Sequence, residues 1–412
     1  MNILASVYAC SPYDGSERAV GWNWICQLNK NHKVWALTSH VYKDDILDYK
    51  RKHPNELKNI NFIFVEVPKL ISSWHVGYRG ERAYYIMWQY VAFKVAKKLV
   101  EDVKFDLVHH ITYVTCILPT FMHKLNIPFL YGPVAGGENI PAKIKYPMSK
   151  KNKIIESFRY FIQLFFRCTP NFLLTMKRAS LILVTTDETK SIIPRKYHYK
   201  TPVFQGIGLD NEILSTSLGV KQNKKCKILI AGRMIYWKGF DIAIKSFIKS
   251  IENGCNAELT VLGDTDDGSE EYKKNLEKIC GKYLDKEIKF IPKIDHKKMI
   301  SFYDEFDILL NCSLRDSGCF VVMEAMARAL PIICVNTGGP KVNTTYENAI
   351  KIDPEYVDDM IDNISMAINK LVNDIDLRLD MGEKARNHAI EYLSMEYKAE
   401  KINKYYNFIK YR

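Results

Sequence analysis

Two doubly wound α/β domains joined by a short hinge are what this sequence predicts, on three observations. The chain runs to 412 residues, beyond what one hydrophobic core usually organises and suited to two domains of roughly 200 residues each. Short apolar runs alternate with helical patterns along it, which is how a parallel sheet covered on both faces reads. The alternation halts near Pro202, Gly206 and Gly208 and then starts again.

The first half supplies six apolar runs expected as strands: Ile3–Tyr8, Lys33–Ser39, Phe62–Val67, Leu107–Ile111, Pro128–Tyr131 and Leu181–Thr185. Helices are expected to begin near Glu17, Arg82, Cys116 and Lys153. The second half supplies six more strands: Lys227–Ala231, Glu258–Leu262, Ile288–Ile291, Ile308–Asn311, Pro331–Val335 and Ala349–Ile352. Between them the segment from Pro194 to Asn223 reads as the hinge. The predicted domains are therefore 1–200 and 201–393, with a last polar and aromatic helix over 394–412 that braces the lobes. Open α/β sheets bind ligands beyond the carboxyl ends of their strands, so the two sheets are expected to face one central cleft.

Composition narrows the function. Apolar residues are 47% of the chain, which excludes a disordered protein. The ten cysteines are scattered from Cys10 to Cys334 without a CxxC pair, so reduced thiols are expected and structural zinc is not. The first residues form a strand-like run, Asn2 to Tyr8, without the basic head and apolar stretch of a secretion signal. No apolar run approaches the roughly 18 residues that span a bilayer. A cytoplasmic protein is expected.

A formal charge of +12 points to anionic partners. Its densest block runs from Lys143 to Arg178, where Lys143, Lys145, Lys150, Lys151, Lys153, Arg159, Arg167, Lys177 and Arg178 face one acid, Glu156. Within it, Ile154, Ile155, Phe158, Phe161, Ile162, Phe165 and Phe166 recur at helical spacing. Either an anionic membrane surface receives this amphipathic helix, or its apolar face packs on the core. Nucleic acid ranks last, since the cations accompany an apolar helix and no base-reading or stacking motif.

Four segments carry the candidate chemistry. The loop after the first strand reaches Gly15 and Ser16 at a helix start, where free N–H groups suit a phosphate or sugar oxygen; a plain turn capped by Ser16 is the alternative. It lacks the GxGxxG fingerprint of dehydrogenases. Asp106-Leu107-Val108-His109-His110 ends the fourth strand, so one histidine of the pair is expected at the site, adjacent strand residues pointing to opposite faces; a buried core histidine is the alternative for either. Arg233 and Lys238 flank the turn after the strand that opens the second lobe, and together fit a diphosphate, one as a planar fork and one as a point charge.

The sharpest segment runs from Asp316 to Pro331. A polar loop ends at Gly318 and a helix begins with Cys319 or Phe320, leaving Asp316 in the loop and Glu324 on the helix. Two carboxylates at this spacing can take hydrogen bonds from the hydroxyls of a ribose and a second sugar, while N–H groups of Gly318, Cys319 and Phe320 add anion contacts. A structural ion pair is the alternative for Glu324. Asp264-Thr265-Asp266-Asp267 contains a D-x-D pattern, but its Gly, Ser and Glu surroundings read as a solvated loop, and no metal site is expected.

With these residues in view, the chain resembles the family 4 retaining glycosyltransferases, whose hallmark is an E-x7-E motif. The resemblance rests on Arg233 with Lys238, on Asp316-x7-Glu324 followed by Ala-Met-Ala, and on Gly338-Gly339-Pro340. Gly15-Ser16-Glu17, Asp106 to His109, and Gly132-Pro133 through Gly136-Gly137 are similar to a branch associated with bacterial surface polysaccharides such as capsule or O-antigen. It implies a GT-B fold, with the acceptor on the first lobe and a UDP- or GDP-linked sugar on the second. Arg233 and Lys238 would neutralise the diphosphate, Asp316 would touch the donor sugar, and Glu324 would hold the ribose. Transfer would retain configuration, the leaving diphosphate itself assisting deprotonation of the acceptor, with no cofactor and no metal. The acceptor would be a growing, lipid-linked glycan at the inner face of the plasma membrane. Asp316 departs from the hallmark glutamate by one methylene, and Gln205-Gly206-Ile207-Gly208-Leu209-Asp210 departs from the Asn-Gly-Ile-Asp of many relatives. A nucleotide-sugar epimerase of the same fold, or an inactive homologue that binds the donor, are the competing readings; the three retained residues Arg233, Lys238 and Glu324 speak against the second.

Overall fold

The computed structural model describes residues 1–68, 70, 73–74, 80–219, 225–265 and 270–411, and the side chains of all of these except residues 296 and 297. It contains two six-stranded sheets. The first is built from β1 (Asn2–Val7), β2 (Lys33–Ser39), β3 (Ile60–Val65), β4 (Leu107–Thr112), β5 (Phe129–Val134) and β6 (Leu181–Val184). The second holds β7 (Cys226–Ala231), β8 (Ala257–Leu262), β9 (Ile288–Ile291), β10 (Ile308–Asn311), β11 (Ile332–Val335) and β12 (Ala349–Ile352). The orders are β3-β2-β1-β4-β5-β6 and β12-β11-β10-β7-β8-β9, and every pairing is parallel. Each sheet reverses its winding once, between β1 and β4 in the first and between β7 and β10 in the second.

Apolar residues at both parities dictate this burial. On β10 and β7, Ile228, Ile230 and Leu310 pack into one core cluster, with Phe240, Phe247 and Ile368. Their neighbours Leu229 and Leu309 pack into another, with Met323, Met326 and Ala385. Side chains alternate across a strand, so a strand apolar at every position needs cover on both faces, and the helices between strands supply it.

The chain divides into two compact units, one of residues 1–137, 156–206 and 395–412, the other of residues 138–155 and 207–394. Neither is contiguous, which a single boundary near residue 200 does not describe. Residues 138–155 join the second unit because Ile144 and Tyr146 are buried in its core, and the Tyr146 hydroxyl donates to Asp241 Oδ1 at 2.7 Å. The closing helix Met395–Lys410 belongs to the first unit. There Tyr406 Oη lies 2.7 Å from His109 Nδ1, and Asn403 Oδ1 lies 2.8 Å from His32 Nε2.

One local expectation is corrected. No helix begins at Cys116: the connection from β4 to β5 holds only a short 3-10 turn, Met122–Lys124. Pro119 stands in that apolar stretch and cannot donate the helical hydrogen bond, and the Cys116 N–H is already committed to the Ala135 carbonyl at 2.8 Å. The helix expected near Lys153 spans Lys150–Arg167 and buries Gln163, not its aromatic face.

Candidate functional site

In the second unit the site grows from the reversal between β7 and β10, the place where open α/β sheets bind ligands. After β7, exposed Arg233 leads to a short turn, Tyr236–Lys238, closed by Gly239 at φ 66°. A Cβ at Gly239 would lie 2.2 Å from the Cys312 carbonyl oxygen, so only glycine lets the loop after β7 lie against that after β10. This contact brings Lys238 to Asp316: Nζ and Oδ2 are 2.5 Å apart. Burial alone would lower the Lys238 pKa, but the Asp316 carboxylate outweighs it and the pKa is raised. The ammonium is held charged.

Asp316 is fixed in turn by backbone. Its Oδ1 accepts from the Gly318 N–H at 3.2 Å, and its carbonyl accepts from the Gly339 N–H at 2.7 Å. Gly338, at φ 53°, would place a Cβ 2.1 Å from that carbonyl, which is why the Gly338-Gly339 pair stands there. The Gly318 carbonyl accepts from Asn343 Nδ2 at 2.7 Å. Cys319 takes the left-handed conformation at φ 64° and caps the helix Phe320–Ala327. Its Sγ accepts from Asn311 Nδ2 at 3.3 Å, and burial pushes its pKa far above the thiol range, so it shapes the turn and does not act as a nucleophile.

Glu324 lies one turn into that helix, buried, with Oε2 accepting from the Tyr303 hydroxyl at 2.9 Å. One partner of this carboxylate is thus a phenol, which donates to it across 21 residues of chain. Arg328, four residues on, is a structural ion: fully buried, it donates from Nε and Nη2 to the two oxygens of Asp304, and from Nη1 and Nη2 to the carbonyls of Thr216 and Ser217. Sequence alone does not tell these two buried charges apart, since both stand in one apolar stretch.

The first unit presents a different set at its own reversal, between β1 and β4. Tyr8 and Tyr113, beyond the two strand ends, donate to one oxygen of Glu81 at 2.6 and 2.7 Å, with ring centroids 4.9 Å apart. Beside them Glu17 Oε1 accepts from the Val114 N–H at 2.5 Å, and burial raises its pKa to about 7. Gly15 and Ser16 form the exposed turn before Glu17; Ser16 has φ 58° and its side chain makes no capping bond. Sequence reasoning found the turn but missed Tyr8, Tyr113 and Glu81.

His109 and His110 are corrected. Strand β4 continues two residues past them, to Thr112, with all six residues buried. His109 has both nitrogens engaged, Nε2 with the Gly132 carbonyl at 2.7 Å and Nδ1 with Tyr406. Desolvation lowers its pKa to about 4. For His110, whose Nε2 is 3.4 Å from the Tyr113 carbonyl, desolvation lowers the pKa to about 3. Both are neutral core histidines, without access to a substrate proton. Asp266 and Asp267 of the D-x-D pattern lie outside the described residues, and no group of three metal-ligating side chains occurs among the described residues.

Comparison with known proteins now places the fold. Anabaena Alr3699/HepE in complex with UDP superposes with a TM-score of 0.62 at 14% identity, over 99% of this chain and 100% of that one. The same protein in complex with UDP-glucose gives a TM-score of 0.59 at 13% identity, again over 99% and 100%. The architecture is GT-B. Residues 216–388, the stretch carrying Arg233, Lys238, Asp316 and Glu324, match the family model of glycosyl transferases group 1. Protein CapJ of Staphylococcus aureus is 26% identical over 201 residues, 48% of this chain and 46% of its own length. The capsular polysaccharide biosynthesis glycosyltransferase CapM of the same organism is 26% identical over 204 residues, 50% and 52%. The chain spans about half the length of the curated relatives it matches.

Proposed function

We propose that this protein is a retaining glycosyltransferase that moves a sugar from a nucleotide diphosphate donor to a growing, lipid-linked glycan of the bacterial surface, working at the cytoplasmic face of the membrane. The observation that carries the reading is the Lys238–Asp316 pair at the β7/β10 reversal. A cation and a carboxylate preset at contact distance match a ligand that brings a diphosphate and sugar hydroxyls together. The diphosphate takes Lys238 and Arg233, and Asp316, released from its partner, accepts from the sugar. Glu324, steadied by Tyr303, accepts from the ribose hydroxyls.

The buried histidines support a mechanism without a protein base. The acceptor oxygen attacks the anomeric carbon on the face that the diphosphate leaves; the bond from that carbon to the phosphate oxygen breaks. The acceptor's proton passes to the departing phosphate oxygen. Lys238, Arg233 and the N–H groups at Gly318 to Phe320 balance the charge that develops, and no metal is needed. In the first unit the Glu81, Tyr8, Tyr113 and Glu17 cluster offers hydroxyl-binding groups to the acceptor. The similarity to CapJ and CapM and the UDP and UDP-glucose carried by Anabaena HepE support a surface glycan and a UDP-linked donor.

Melting temperature measured with UDP, GDP, ADP and their sugars, with and without magnesium, tests the donor site, because a ligand that binds only the native state raises it. The expected result is a shift with uridine nucleotides that is independent of magnesium. No shift with any nucleotide would overturn the donor site, and a shift only with magnesium would overturn the metal-free mechanism.

A further inference from the structure

The helix Lys150–Arg167 is built inside out. Ile154, Phe158, Phe161 and Phe165 recur at steps of four, three and four and fall within roughly one sixth of the helix circumference at 3.6 residues per turn. These four side chains are 69%, 63%, 64% and 60% exposed. The side chain buried in this helix is a polar one, Gln163, whose Nε2 donates to the Gly136 carbonyl at 2.8 Å. A helix packed on a core does the reverse, and large aromatic groups in water cost free energy unless something covers them. The next helix, Pro170–Arg178, also leaves two large apolar side chains exposed, Leu173 and Leu174.

Charge decides what covers it. Lys150, Lys151 and Lys153 lie exposed at the start of the first helix, and Lys177 and Arg178 lie exposed at the end of the second. Glu156, the one acid between residues 143 and 178, lies 3.6 Å from Arg159. An aromatic stripe between uncompensated cations fits a surface with an apolar interior and an anionic rim. Among the described residues no helix is long and apolar enough to cross a membrane, so the helix would lie in the interface plane.

We propose that Ile154, Phe158, Phe161 and Phe165 insert into the headgroup boundary of an anionic bilayer, with the flanking lysines held at the lipid phosphates. This goes beyond the transfer chemistry and does not depend on it. The test is flotation of the full chain with vesicles of phosphatidylcholine alone or with about 30% phosphatidylglycerol, the composition chosen because charge and apolar contact act together at such surfaces. Binding is expected with the anionic vesicles, and Phe158→Glu with Phe161→Glu should lower the bound fraction about tenfold, two inserted rings being exchanged for charges. Both rings are exposed, so the melting temperature should hold. A Phe161→Trp variant should shift its emission to the blue on anionic vesicles. Failure of the unaltered protein to float would overturn the proposal, as would equal binding by the double variant, which would mean adsorption through charge alone. A dimer in solution that the double variant dissolves would assign the face to a second copy and overturn it too.

Discussion

The two sheets share one winding and differ in what they set at its reversal. Between β7 and β10 stands a cation locked to a carboxylate, Lys238 on Asp316. Between β1 and β4 stand Tyr8 and Tyr113 on the carboxylate of Glu81, with Glu17 alongside. The same topology thus sets a cation on a carboxylate in one unit and two phenols on a carboxylate in the other. Strand order fixes where chemistry can occur; the first residues of each loop decide which chemistry.

Three measurements break or sharpen this contrast. The largest effect is expected from Lys238→Ala, which removes the fixed charge facing the leaving diphosphate; losing one such donor lowers turnover by about 100- to 1,000-fold. Transfer within tenfold of the unaltered protein would mean the second site is not the donor site. Glu81→Gln should act on the other unit: it weakens the anchoring of both phenols and raises the acceptor KM by about tenfold, the scale of a lost charge-assisted hydrogen bond. The nucleotide-induced rise in melting temperature should stay the same, and a loss of that rise would erase the division of labour.

The smallest effect concerns pH. The Glu17 carboxyl is raised to about 7 in the fold, above the roughly 4.3 of an unfolded glutamate. Below the lower value both states are protonated and the fold bears no penalty; as pH climbs through the window the unfolded chain ionises first and stability falls. Glu17→Gln keeps an oxygen for the Val114 N–H and removes that fall. Its melting temperature at pH 8 should exceed the parent's by a few degrees and match it at pH 4. Identical pH profiles in thermal melts would sink the assignment.

Most of the framework was legible in the sequence because it depends on local composition. Runs such as Ile228 to Ala231 and Ile308 to Asn311 are apolar at both parities and bounded by turns, so all twelve strands could be anticipated within about three residues. Lys238, Asp316 and Glu324 stood out because cations and carboxylates at strand ends interrupt apolar text. Glu81 could not stand out: it joins Tyr8 across 73 residues of chain, and only the fold brings them together. His109 and His110 misled for a related reason, since a strand end is uncertain by a residue or two, and Thr112 extends this one past both rings. Residues 138–155 carry no sequence mark of belonging to the second core, apart from Tyr146, whose partner Asp241 lies 95 residues away.

The closing helix gives the molecule a direction in time. It supplies Tyr406 to His109 on a strand that leaves the ribosome nearly three hundred residues earlier, 297 by position. Domains tend to fold as they emerge, yet the first unit is completed by residues 395–412, which follow all the strands of the second. A nascent chain halted anywhere before Met395 would therefore carry all twelve strands and still leave His109 without the Tyr406 hydroxyl.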